Sequence, residues 1–242
     1  MNNYKIIIAY DGINYHGWQI QPGIRTIQGT IQEALEKITE QKIKIIGAGR
    51  TDAGVHAKGQ VANFWANINL KEEELFRALN AVLPRDIRII SLEKVPLDFH
   101  ARKKAKAKIY EYRILNSQMI SPFLFRYVFH YPYPLNFNKM KEASKYFVGK
   151  KDFTLFSSGE KKNNIREVYY SEVFKREDEI IYKIKANSFI RYMVRKIVGI
   201  LIEVGKRKFE PEIINDIFEN KNHSITIPTA PPHGLCLLEV IY

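Results

Sequence analysis

The chain opens on an isoleucine-rich run. Tyr4–Tyr10 (YKIIIAY) ends at Asp11-Gly12, and that pattern predicts a strand. Ile27, Ile31, Ala34, Leu35 and Ile38 recur at helical spacing and predict a helix over Thr26–Glu40. A short strand over Ile43–Gly47, a glycine-rich loop and a strand over Gln60–Trp65 come next. Asn69, with Glu72 three residues on, has the form of a capping box. Leu70, Leu75, Ala78, Leu79 and Val82 give that helix an apolar face, and Pro84 ends it. Ile87–Val95 is a further strand. The order is β-α-β-β-α-β.

The second half repeats this order without repeating the sequence. Ile109–Leu115 predicts a strand and Phe137–Val148 a helix. Val168–Lys175 and Glu179–Ala186 predict a hairpin around Arg176-Glu177-Asp178, and Phe189–Val204 a long helix. Pro211–Asn220 is an inserted helix with proline in its first turn, and Leu235–Tyr242 the last strand. Each half therefore has the split-βαβ pattern of a ferredoxin-like fold. The expected class is α+β: two ferredoxin-like (RRM-like) halves, residues 1–102 and 103–242, with an active-site cleft between them.

Charge narrows the class of partner. Against 26 acidic side chains stand 38 lysines and arginines, a formal net charge of +12. Such an excess favours a polyanion, nucleic acid first. The single cysteine, Cys236, excludes an internal disulfide and a cysteine-rich zinc site. Neither a signal peptide nor a membrane-length apolar stretch stands out, so the expectation is a soluble, cytoplasmic protein with no membrane contact.

Three places carry candidate chemistry. In Ala101–Ile114 (ARKKAKAKIYEYRI), Arg102, Lys103, Lys104, Lys106 and Lys108 precede Tyr110 and Tyr112, which share one face of a strand. Cations neutralise phosphates and an aromatic face stacks on a base; a solvated linker leading into half-buried tyrosines is the plainer alternative. Further basic clusters stand at Lys139–Lys151 and Lys206–Lys208. In the long helix, Ile190, Met193, Val194, Ile197, Leu201 and Val204 form an apolar stripe. Arg195 lies beside it on the line of Val198 and Ile202, while Tyr192, Lys196, Gly199 and Glu203 make the remaining, solvent face. A guanidinium so placed needs an acid or a carbonyl, and Glu203 is one local choice. The third place is the loop GAGRTDAGVHAKGQ, Gly47–Gln60, with Arg50, Asp52, His56 and Lys58 among four glycines. Its glycines admit a ligand close to the backbone; an Asx turn at Asp52 is the alternative. His56 has no second ligand at metal spacing, and no phosphate-binding glycine loop is present.

GRTDAGVHA resembles the signature of the TruA-type tRNA pseudouridine synthases. Tyr10–Pro22 (YDGINYHGWQIQP) resembles the family's N-terminal motif, with Tyr15 where phenylalanine is common. TIQGTIQEAL, KIYEYRI, GKKDFTLF, NSFIRYMVRKIVGIL and APPHGLCLLEV are similar to later family segments in the same order, and Lys151 stands where histidine is frequent. The resemblance implies an isomerase without metal or organic cofactor. Its homodimer would convert uridine to pseudouridine in the tRNA anticodon stem-loop, at tRNA positions 38 to 40. It implies that Asp52 is the catalytic aspartate, Arg195 its basic partner and Tyr110 the aromatic that packs on the target base. Arg50 would hold the RNA at the flipped nucleotide, and Leu235 and Leu237 would form the apolar floor. A catalytically silent tandem RRM-like RNA-binding protein is the rival reading. It leaves an acid in an RNA site unexplained.

Overall fold

The structure, a computed structural model, describes residues 1–158, 163–219 and 225–242. Two compact units divide the chain: Met1–Lys106 with Leu237–Tyr242, and Ala107–Cys236.

The first unit runs β1 (Asn2–Tyr10), α1 (Ile27–Thr39), β2 (Ile46–Gly47), β3 (His56–Ala66), α2 (Glu72–Val82) and β4 (Ile87–Val95). Its sheet has the order β4-β1-β3, with β2 on the outer edge of β3. β1 is antiparallel to both neighbours. This is the arrangement of a split βαβ unit. Helix α1 begins where the pattern placed it: Thr26 is the N-cap, and its hydroxyl accepts from Gly29 N at 3.2 Å. Ile27, Ile31 and Leu35 of α1 are fully buried, as are Leu75 and Leu79 of α2 and Tyr4, Ile6 and Ile8 of β1. Each such aliphatic side chain contributes roughly 1.5–3 kcal/mol. Helix α2 begins later than the Asn69 cap implies. Lys71 is the N-cap, and its N–H donates to the Glu74 carboxylate at 2.9 Å. Glu72, Glu73 and Glu74 are consecutive, and the helix uses the last of them.

The second unit runs β5 (Ala107–Leu115), β6 (Phe129–His130), α3 (Phe137–Lys145), β7 (Gly149–Asp152), β8 (Ile165–Arg176), β9 (Glu179–Ala186), α4 (Met193–Gly205) and α5 (Ile213–Phe218). The last strand, β10 (Leu235–Ile241), starts here and ends in the first unit, next to β3. The antiparallel sheet has the order β5-β9-β8-β7, with the short β6 parallel to β5. Pairing of Val168 through Arg176 with Ala186 through Glu179 gives the expected hairpin, and Glu177 takes a φ of 53° at its tip. Helix α4 starts at Met193 instead of Phe189, because Tyr192 adopts a left-handed conformation with φ 66° and breaks the helical run. Its expected solvent face is covered. Gly199 is buried, and a Cβ there would lie 1.9 Å from the Pro228 carbonyl oxygen. Lys196 Nζ donates to the Ser157 carbonyl at 2.8 Å. The expected end of α5 at Asn220 lies outside the described residues.

Candidate active site

The glycine loop joins β2 to β3, and the N-terminal motif packs around it. Ala48 N donates to Val61 O at 2.7 Å and so closes its base. Val55 N donates to Asp52 O at 3.2 Å, so residues 52–55 form a tight turn, with Gly54 at φ 77°. The Asp52 backbone carbonyl closes that turn. Gly54 N donates to Tyr15 O at 3.2 Å, and Trp18 N to Thr51 O at 3.1 Å.

Glycines make this contact possible. A Cβ on Gly12 would stand 1.9 Å from Val55 O, and one on Gly17, itself at φ 83°, 2.6 Å from Thr51 O. On the other side of the loop, Gly47 faces the Trp18 ring at a distance no Cβ tolerates. The segment YDGINYHGWQ is therefore the mould in which the Asp52 turn is cast. Gly12→Ala should destabilise the fold by about 1–3 kcal/mol or more, the usual range for overpacking, and lower activity with it. A urea midpoint unchanged from that of the parent would contradict this packing.

Within the mould Asp52 is half-buried and Ala53 exposed, so the turn reaches the surface of its unit. Arg50 is exposed, with Nε donating to Gln19 Oε1 at 3.0 Å. His56 is buried. Its Nδ1 lies 3.1 Å from Gly12 N, as an acceptor, and 3.2 Å from Asp11 Oδ1. It serves as an anchor where β3 begins. Tyr15, the departure from phenylalanine, is used: its hydroxyl donates to Asp86 at 2.7 Å and accepts from Arg25 at 3.0 Å. Burial and the Asp86 carboxylate push its phenol well above the ordinary range.

In the second unit Tyr110 and Tyr112 share a face of β5, and both are more buried than the pattern implied, at 6% and 0% exposed. Tyr110 meets Phe189 edge to face, with centroids 4.9 Å apart. Tyr112 is committed to structure: its hydroxyl donates to Pro231 O at 2.8 Å, and burial raises its pKa.

Arg195 is half-buried on α4. Its Nε donates to Ala230 O at 2.8 Å, while Ala230 N donates back to Arg195 O at 3.0 Å. The guanidinium also lies 5.0 Å from the Tyr192 ring centroid. The left-handed turn that delays the start of the helix thus puts an aromatic face against the cation. Glu203 is not the partner: it holds Lys206 at 2.7 Å and Lys208 at 3.1 Å. Burial alone would raise the Glu203 pKa, but those two lysines hold it below the ordinary range.

Leu235 and Leu237 are buried. Of the basic run, Arg102, Lys103, Lys104 and Lys106 are exposed, whereas Lys108 is buried at the start of β5. Lys104 contacts Asp98 at 2.6 Å. The other basic clusters are partly engaged within the protein: Lys139 with Glu210, and Lys151 over the Phe218 ring. Among the described residues, no three His, Cys, Asp or Glu side chains come together as a metal site, and no helix is long and apolar enough to cross a membrane.

A family model described as tRNA pseudouridine synthase matches residues 6–102 and 143–242. The chain is 46% identical over 254 residues to tRNA pseudouridine synthase A of Thermodesulfovibrio yellowstonii, covering 100% of both chains. It is 45% identical over 244 residues to tRNA pseudouridine synthase A of a Thermoanaerobacter species, again covering 100% of both. Among solved structures it is similar to the archaeal box H/ACA sRNP Nop10–Cbf5 complex, at 14% identity and a TM-score of 0.36, over 82% of this chain and 43% of that one. Matched from end to end at nearly half of its positions, with the loop and its mould both present, the chain belongs to the tRNA pseudouridine synthase family and is an isomerase.

Proposed function

We propose that the enzyme converts uridine to pseudouridine in the tRNA anticodon stem-loop, at tRNA positions 38 to 40, with Asp52 as its catalytic nucleophile. The observation that carries this reading is the Asp52 turn. Its backbone is gripped at Thr51, Asp52 and Gly54, while Asp52 remains part-exposed. Rigid backbone beneath an accessible acid is what a positioned nucleophile requires.

The reaction breaks the bond from ribose to N1 and rejoins the ribose at C5. The C5 proton leaves and N1 takes one up, so nothing is gained or lost overall and the chemistry calls for no cofactor. The base has to leave the stack to be turned over. Tyr110 is the ring on which it packs, Leu235 and Leu237 the apolar floor, and Arg50 the cation that holds the opened strand. Arg195 is the aspartate's basic partner. A carboxylate that loses water on RNA binding tends to protonate, and a fixed cation opposes this. The clamp of Ala230 and Tyr192 on the guanidinium supports that role. Arg102, Lys103, Lys104 and Lys106 supply phosphate contacts, consistent with the +12 charge.

The positional claim is tested with tRNA transcripts that keep uridine at only one of positions 38, 39 or 40. Pseudouridine is expected at each in turn. Product confined to sites outside the anticodon stem-loop would overturn the assignment.

The enzyme acts in the cytoplasm, as a homodimer. Residues 116–135 support the dimer: Met119, Phe123, Phe125 and Tyr133 are exposed, and Arg126 is the only Asp, Glu, Lys or Arg among them. Two copies of a chain this basic repel one another, so an exposed apolar segment almost without charge of its own is where they meet most readily. Sedimentation equilibrium should give twice the 28.3 kDa chain mass, and Phe123→Glu should shift it towards the monomer. A parent protein that sediments as a monomer would refute the dimer.

A further inference from the structure

Thr51, the residue before Asp52, is held from two sides. Its carbonyl accepts from Trp18 N at 3.1 Å. Its hydroxyl lies 2.8 Å from that of Tyr10, and the two residues are only 7% and 4% exposed. Tyr10 also governs the far end of the loop. The β1–β3 register shifts between Ile8 and Tyr10, from Ile8 opposite Gln60 to Tyr10 opposite Ala57. One residue therefore pairs through its backbone with the strand that leaves the loop, and through its hydroxyl with the residue that enters the Asp52 turn. The Tyr10 ring leans on Trp18, with centroids 6.3 Å apart, and Trp18 in turn closes over Gly47. The ring is packed independently of the hydroxyl, so losing the oxygen removes the bond and leaves the packing.

We infer that Tyr10 is a positioning residue for the reaction: through its bond to Thr51, its hydroxyl sets the direction in which Asp52 is presented. This rests on Asp52 being the catalytic group. The peptide between Thr51 and Asp52 determines where the carboxylate points. With the Tyr10 hydroxyl gone, the Thr51 hydroxyl loses a buried partner and turns to find another. A nucleophile displaced by about 1 Å loses up to roughly 100-fold in rate. RNA affinity comes from phosphate contacts spread over a wide surface and does not depend on this bond.

The test measures kcat, KM and melting temperature with tRNA for Tyr10→Phe, Thr51→Val, Thr51→Ser, the Tyr10→Phe/Thr51→Val double variant and Asp52→Asn. Tyr10→Phe and Thr51→Val should each lower kcat by about 10- to 100-fold, with KM within about twofold of the parent. Thr51→Ser, which keeps the hydroxyl, should recover most of the rate lost in Thr51→Val. The double variant should be no slower than the slower single one, because both remove one bond. Parent-like kcat in Tyr10→Phe, a loss carried by KM, or Thr51→Ser as slow as Thr51→Val would each overturn the inference. An inactive Asp52→Asn beside a parent-like Tyr10→Phe sinks the positioning role alone. An active Asp52→Asn sinks the catalytic aspartate, and the positioning role with it.

Discussion

Asp52→Asn should reduce pseudouridine formation by at least about 1,000-fold while leaving the fold and tRNA affinity in place. The amide has the shape of the carboxylate but neither its charge nor its lone-pair reactivity, and a group of this kind typically carries about 10²–10⁴ of the rate. The fold should hardly respond, because asparagine keeps the shape of the side chain and leaves the backbone bonds of the loop untouched. Val55 N bonds the Asp52 carbonyl, Trp18 N the Thr51 carbonyl and Gly54 N the Tyr15 carbonyl, and none of these involves the carboxylate. Binding should stay within about threefold, since phosphate neutralisation dominates affinity and an acid contributes none of it. Three measurements separate these effects: product analysis after long incubation, a thermal melt, and filter binding of tRNA. A variant that melts with the parent, binds with the parent and still turns over at the parent's rate would remove Asp52 from the chemistry.

Tyr110→Ala should cost nearly as much activity for a different reason. The ring stands against Phe189 and is almost wholly buried. Base–aromatic stacking is worth ~1–3 kcal/mol, roughly 5- to 150-fold in the occupancy of the flipped state. Truncation also leaves a cavity, and emptying a buried aromatic site costs about 3–5 kcal/mol of stability. The loss has therefore to be read beside Tyr110→Phe, which keeps the ring and the edge-to-face contact. The phenylalanine variant should melt near the parent and keep a face for the base, whereas the alanine variant should be inactive at temperatures where it remains folded. Near-normal and equal activity in both would remove Tyr110 from the site.

Much of this was legible in the sequence where a periodic pattern met a clear terminus. Helix α1 is capped at Thr26 because a threonine precedes isoleucines at helical spacing, and β4 and β9 end where their apolar runs end. Asp52 stood out by motif, being the acid in a glycine loop of a basic chain. Positions settled by three-dimensional contact did not stand out. Nothing in the order of residues shows that Tyr192 turns left-handed and delays α4, or that Gly199 faces a proline carbonyl instead of water. Glu203 was a local acid that could have paired with Arg195, but Lys206 and Lys208 follow it closely and take its charge. Tyr112 looked like a second stacking face and proved to be tied to Pro231. The N-terminal glycines were visible as a motif, yet their purpose, close approach to Thr51 and Val55, depends on contacts some 40 residues along the chain. Tyr10 was visible as the end of a strand and the first residue of the N-terminal motif, but its bond to Thr51 was not, because that hydroxyl lies across the loop.

Tritium release tests catalysis by Asp52 most directly. tRNA transcripts labelled at uridine C5 would be incubated with the parent protein and with Asp52→Asn at equal concentration. Glycosidic isomerisation frees the C5 hydrogen, so release reports the bond rearrangement itself. The parent should release tritium and the variant none above background. Release by both at similar rates, or by neither while tRNA remains bound, would contradict catalysis by Asp52.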